Sequence, residues 1–309
     1  MLPQFDNRLM SSFLLWFDHN LVRRGEAFTN TSGALYPVDS LINGYYTYGA
    51  PFKQFVSDFS VTGTGNAYPN KASSKVVNVP TGIYLSGSFT PVGTNGLSGI
   101  NYDQGQIYMT YPVQNPDTSI SGEYAVKDFN VYLTNEPEEK LLFETKFNLT
   151  PKTSESQTGL ASNAITYPAI FLRHNGSRNE PLAFGGYDST TFNLRAVVLA
   201  DSQYALDAVC SIFRDLARTH VTLLNTTDMP FNSLGSYKNN DKYSYTGLIT
   251  GKKSEDQFVF VDEVNIAKFS RNVNLKIENM NPDVFNGVID FEISKPRYPR
   301  KATQGEDIQ

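Results

Sequence analysis

Residues 191–224 read TFNLRAVVLADSQYALDAVCSIFRDLARTHVTLL, and their apolar period changes twice. Residues 191–199 are rich in Val, Leu, Phe and Thr with no helical spacing, which predicts a strand. Asp201 then precedes Leu206, Val209, Cys210, Phe213, Leu216 and Ala217, set three and four apart, so a helix capped by Asp201 is expected. Arg214, Arg218 and His220 suit its C-terminal end, where free carbonyls favour cations. At residues 221–224 the pattern returns to a strand. Strand, helix and strand in that order imply a helix lying on a sheet.

The same period extends outward in both directions. Downstream, residues 258–261, 273–277 and 288–293 have the composition of further strands. Upstream, Ile83, Leu85, Gly87 and Phe89 alternate with Tyr84, Ser86 and Ser88, while Ile107, Met109, Tyr111 and Val113 form a second alternating run. Phe129, Val131 and Leu133, a turn at 135–139, and then Phe143, Thr145, Phe147 and Leu149 predict an antiparallel hairpin. Near the start, Leu9, Met10, Phe13, Leu14, Phe17 and Leu21 trace the stripe of an amphipathic helix. Asp6 is expected to cap its N-terminus, Arg23 and Arg24 suit its last turn, and Gly25 its left-handed stop. The expected class is therefore α+β: strand-rich antiparallel sheets, an N-terminal amphipathic helix, and one helix packed on the C-terminal sheet.

Composition divides the chain further. Residues 1–150 read as the helix plus a strand-rich lobe, and 164–294 as an α+β lobe. Between them, 151–163 is polar and reads as a linker or mobile loop. Residues 295–309 combine Pro296 and Pro299 with Lys295, Arg297, Arg300 and Lys301, the pattern of a disordered basic tail. A net charge of −5 disfavours a broad phosphate-neutralising surface. One cysteine, Cys210, cannot form an internal disulfide and points to synthesis in a reducing cytoplasm. Asp18 and His19 interrupt the first apolar stretch before it reaches bilayer length, so no membrane partner is expected. Aromatic residues make up 13% of the chain and charged residues 18%, a balance suited to sheets and to contacts between subunits.

No complete catalytic, cofactor or metal motif is present. Gly247 and Gly251 enclose three residues rather than the four of a phosphate loop, and Lys253 stands where Ser or Thr should follow Lys252. Gly63 and Gly65 begin like a dinucleotide fingerprint, but Tyr68 occupies the third glycine position. His19, His174 and His220 lie far apart in sequence, and Cys210 sits on the apolar face of the expected helix. Neither enzyme activity nor a cofactor is expected. The candidate partner contacts are instead Asn95, Leu97, Ile100 and Tyr102, in a long Gly-rich loop at 93–105, and Lys295, Arg297, Arg300 and Lys301 in the basic tail.

Two stretches, Trp16-Phe17-Asp18-His19 through Gly25-Glu26-Ala27-Phe28-Thr29-Asn30 and Ala183-Phe184-Gly185-Gly186-Tyr187-Asp188 through Asp201-Ser202-Gln203-Tyr204-Ala205-Leu206-Asp207, resemble virion structural proteins of contractile-tailed bacteriophages. The resemblance implies a ring-forming subunit of the neck or upper tail, of the tail-terminator, tail-completion or head–tail joining type. It implies a homo-oligomer that meets other neck or tail proteins and borders DNA passively in a lumen. A receptor-binding, glycan-binding or capsid-decorating virion protein is the alternative, suggested by Tyr45, Tyr46 and Tyr48 as a stacking platform.

Overall fold

The computed structural model describes residues 5–38, 44–50, 54–61, 76–112, 120–138, 141, 168–183, 187–232, 237–252, 257–269 and 284–297. In chain order the first half holds α1 (Phe5–Arg24), β1 (Phe28–Ala34), β2 (Tyr36–Pro37), β3 (Tyr46–Gly49), β4 (Gly82–Leu85) and β5 (Ser88–Pro91). It continues with β6 (Leu97–Asn101), β7 (Gln106–Met109), β8 (Ile120–Lys127) and β9 (Asn130–Leu133). The second half holds β10 (Ala169–Ala183), β11 (Tyr187–Ala200), α2 (Gln203–Arg214) and β12 (His220–Thr222), then α3 (Tyr245–Ile249), β13 (Phe258–Lys268) and β14 (Phe285–Arg297). The fold is α+β, with a four-stranded sheet β1-β8-β4-β5, a second β2-β3-β7-β6, and a six-stranded sheet β12-β13-β14-β11-β10-β9. Named strands pair antiparallel except β9 with β10.

The six-stranded sheet forms as expected around residues 191–224, with α2 on one face. The cap, however, is Ser202: its hydroxyl accepts from the Ala205 amide at 3.2 Å. The shorter Ser side chain reaches back onto the first turn, and Asp201 falls one position outside. Leu206, Val209, Cys210 and Phe213 are buried beneath α2, and a Cβ on Gly287 would meet Leu206 at 2.9 Å, so glycine there lets α2 approach β14.

α1 is not a surface amphipathic helix. From Ser12 to Val22 every residue is buried, because elements pack on both of its sides. On one side Phe17 stacks on Phe213 at 3.8 Å and 8°, and Phe291 meets Phe13 edge-on at 5.1 Å and 72°. Such pairs contribute roughly 0.5–1.5 kcal/mol each beyond area burial. On the other side Val22 joins Phe28, Val56, Val61 and Ala125 of the first half. Asp6 lies in the first turn. At the other end the left-handed residue is Glu26, at φ 47, while Gly25 is needed for space: a Cβ there would meet the Leu21 carbonyl and Ile212 at 2.8 Å.

The expected division near residue 150 therefore fails for two elements. α1 joins the core of the second half, where it and α2 together cover one face of the six-stranded sheet, and β9 joins that sheet at its edge. The second half reaches back in turn. Asn240 bonds Ile100 through both its amide and its side chain, and the Tyr243 amide donates to the Ser57 carbonyl while its carbonyl accepts from the Phe59 amide.

Two strand expectations are also revised. Residues 83–89 are not one strand: Ser86 at φ 48 and Gly87 at φ 82 fold them into the β4–β5 hairpin, as a two-residue turn with both central φ angles positive requires. In β13, Val259 and Val261 face the core, and after a register shift at Asp262 so do Val264 and Ile266. The extra residue reverses the parity of the strand. The expected partner strand at 143–149, the strand at 273–277 and the linker at 151–163 lie outside the described residues.

Candidate functional site

Most of the expected contact residues are structural. The segment 93–105 is a strand with short flanks rather than an open loop. Leu97 and Ile100 lie in the core of the first half, and the buried Tyr102 hydroxyl donates to the Pro80 carbonyl at 2.8 Å. Burial, with Asp241 adding negative potential, pushes that phenol up to about 12. The Gly content that suggested a loop serves the turn instead: Asn95 at φ 44 and Gly96 at φ 79 precede β6. Asn95 alone of this group is exposed, and its carbonyl accepts from the Tyr111 hydroxyl.

Lys295 and Arg297 are strand residues and not part of a tail. Lys295 and Arg297 close β14 and pair with β11 opposite Thr190 and Asp188. Lys295 is buried, with Nζ donating to the Phe258 carbonyl at 3.0 Å. Arg297 donates to Thr190 Oγ1 at 2.9 Å and lies over the Phe5 ring at 4.4 Å, so it anchors α1. Arg300 and Lys301 lie outside the described residues.

Between α1 and the first half runs a buried polar crossing that sequence spacing did not reveal. Lys127 Nζ meets Asp18 Oδ1 at 2.7 Å, and His19 Nδ1 meets Asp58 Oδ2 at 2.6 Å. His19 stacks on Tyr245 at 4.5 Å, and Asp58 also accepts from Ser60 and the Tyr245 amide. Burial alone would raise the Asp58 carboxyl, but His19, Ser60 and the Tyr245 amide together hold it below its ordinary value. Asp103 nearby is raised, first by burial, and Tyr237 and Tyr243 are pushed well up by burial and by the surrounding carboxylates. Gln54 completes the crossing. Its side chain accepts from the Val131 amide at 2.9 Å and donates to the Val131 carbonyl at 3.1 Å, so it caps the outer edge of β9 as a short strand would. Lys127 with Asp18, His19 with Asp58, and Gln54 with Val131 are thus each paired within the protein. Cys210 is likewise spent on packing, and burial raises its thiol.

The surface feature that stands apart is the six-stranded sheet itself. β9 covers β10 only at Ala169–Leu172, and the Thr134 amide adds one bond to the Leu172 carbonyl. Beyond it, the outer edge of β10 has no strand partner among the described residues, and residues 175–182 are exposed throughout, including Leu182. At the opposite end β12 covers β13 only at Phe258–Phe260, with Thr219 and Arg218 bonding Val261. Residues 262–268 again lack an outer strand partner among the described residues.

The face away from α1 is graded in charge. Register places Arg173, Arg178 and Glu180 of β10 beside Arg195 of β11, followed by Asp290 and Glu292 of β14 and Glu263 of β13. Arg195 binds both Asp290 oxygens, at 2.5 and 2.8 Å, and Glu138 at 2.6 Å, which raises its guanidinium pKa. The outcome is a sheet that is mainly basic at one open edge and acidic at the other. Its signal in the sequence was the break in alternation at Asp262, which marks a bulge and an edge.

The aromatic platform is not assembled. Tyr48 is buried and Tyr46 packs on the core, leaving Tyr45 exposed beside Tyr108 at 6.2 Å. Among the described residues no helix is long and apolar enough to cross a membrane, and no group of three or more His, Cys, Asp or Glu has a metal-binding arrangement. The chain matches no protein-family model and no curated protein sequence.

Proposed function

We propose that this chain is a non-enzymatic virion structural subunit, forming a ring at the neck or upper tail of a contractile-tailed phage. The resemblance of the Trp16–Asn30 and Ala183–Asp207 stretches motivates the setting. The observation that carries an assembly role is the projecting β10–β11 hairpin, whose β10 strand is exposed from residue 175 to 182. A long open edge is an aggregation hazard in a monomer and is normally blunted, whereas an assembly subunit uses it. A ring also needs two different complementary surfaces on one subunit, and the two sheet edges without a strand partner among the described residues are candidates for them.

The test is native mass of the purified protein, with electron-microscope images of the same sample and antibody labelling of intact particles. Closed rings and label at the neck or upper tail are expected. Label confined to the capsid surface or fibre tips would overturn the assignment in favour of a decorating or receptor-binding role.

A further inference from the structure

The two edges of the six-stranded sheet that lack a strand partner among the described residues differ in charge. We infer that the outer edge of β10 in one copy pairs with the outer edge of β13 in the next, so that the sheet continues from subunit to subunit. This rests on the ring reading above and names the contact within it.

Strand direction permits the join. Successive pairings β10–β11, β11–β14 and β14–β13 are each antiparallel, so β13 and β10 run in opposite directions within one sheet. Repeating the sheet side by side therefore sets β10 antiparallel to the neighbour's β13, the better-bonded arrangement. Among the described residues the free part of β13 spans 262–268, about 24 Å of extended chain, which is ample for the shorter regular segment of β10 around Arg178.

Charge selects this pairing over the alternatives. The β10 edge presents Arg173 and Arg178, and the β13 edge presents Asp262 and Glu263. Two β13 edges would bring Asp262 and Glu263 together, and like charges directly across a strand pair are unfavourable; two β10 edges would oppose arginines except in the one antiparallel register that sets Arg178 across from Glu180. Glu180 is the exception on β10; within the chain Arg178 lies 3.3 Å from Glu180 and 3.9 Å from Glu292, exposed contacts that it exchanges for the neighbour's Glu263 in the join. Pro181 and the irregularity between His174 and Ser177 disfavour indiscriminate pairing along the whole strand, confining ladder formation to the segment around Arg178. The contact is heterologous, so rotation of each copy against the last closes a ring.

The experiment is charge exchange in the full chain, using Arg178→Glu, Glu263→Arg and the double variant, with native mass read from micromolar to several hundred micromolar protein. Circular dichroism identical to the parent shows that each exposed substitution leaves the fold intact. Each single variant should associate roughly 100-fold more weakly than the parent. An equimolar mixture of the two singles, and the double variant alone, should recover association. Rings that survive both single exchanges would refute the edge contact while leaving the neck or tail reading standing. A parent that stays monomeric throughout the range would also refute it. Confirmed edge pairing in a protein whose label lies away from neck and tail would refute the placement and leave the contact.

Discussion

Replacing Lys127 by methionine removes the cation facing Asp18 at 2.7 Å while keeping most of the stem's volume. At an effective dielectric near 20, attraction at that separation is about 6 kcal/mol, offset in the parent by several kcal/mol of desolvation for each ion. In the variant the attraction disappears and the burial cost of the carboxylate remains; Asp18 Oδ2 already lacks a hydrogen-bond partner. The expected loss is about 3–5 kcal/mol. For a chain of 309 residues, that corresponds to a fall in melting temperature of about 5–8 °C. The loss should shrink on acidification. Burial already raises Asp103 and Lys127 opposes that rise, so without the cation the Asp103 carboxyl is raised further and its protonation on acidification relieves part of the cost. Urea unfolding followed by circular dichroism at pH 7 and pH 5 gives the comparison. Replacing the pair together, Asp18→Leu with Lys127→Met, should return stability to within about 1 kcal/mol of the parent or above it. A single-variant loss below about 1 kcal/mol at pH 7, or a gap that widens at pH 5, would refute the reasoning.

Asp58→Asn should be less stable than the parent at neutral pH and should lose less on acidification. The folded carboxyl is held below its ordinary value, so its contribution is present above that value and vanishes as pH falls through the folded pKa; melting temperatures from pH 7 to pH 2 show whether this limb flattens. Gly96→Ala should destabilise by about 1–3 kcal/mol, because φ is +79 and the new Cβ would lie 2.2 Å from the Tyr111 ring; chemical denaturation measures it. Ser202→Ala should cost about 1 kcal/mol by removing the bond to the Ala205 amide, whereas Asp201→Ala should cost less. Equal losses from the two would restore Asp201 as the cap.

Periodic features were legible wherever one face of an element is buried. The apolar face of α2 follows the spacing of Leu206, Val209, Cys210 and Phe213, because only one side of that helix meets the sheet. α1 was legible as a helix but not as a buried one: Asp18, His19 and Asn20 look like a solvent face, and only the three-dimensional arrival of Lys127, Asp58 and Tyr245 makes them interior. Glycine misled twice. Around 93–105 it marks a left-handed turn before a core strand, and at Gly87 the centre of a hairpin. Lys295 and Arg297 looked like tail residues because prolines surround them, yet β14 lies between β11 and β13 and keeps Pro296 within the pairing. Of the two edges, only that of β13 left a trace in the sequence, the break in alternation at Asp262, since coverage of a strand depends on how far its neighbour extends.

The burial of α1 on all sides sets the order in which the chain is able to mature. Phe13 and Phe17 close on Phe291, near the far end of the sequence. At roughly 5–20 residues per second, the ribosome delivers that partner on the order of tens of seconds after the helix emerges. Throughout that interval the helix has no permanent cover, and contacts spanning nearly the whole chain make folding slow by topology. Nascent chains of this protein are thus expected to depend on chaperone shielding of their first two dozen residues, and early truncations to be captured by holdases instead of accumulating as folded fragments.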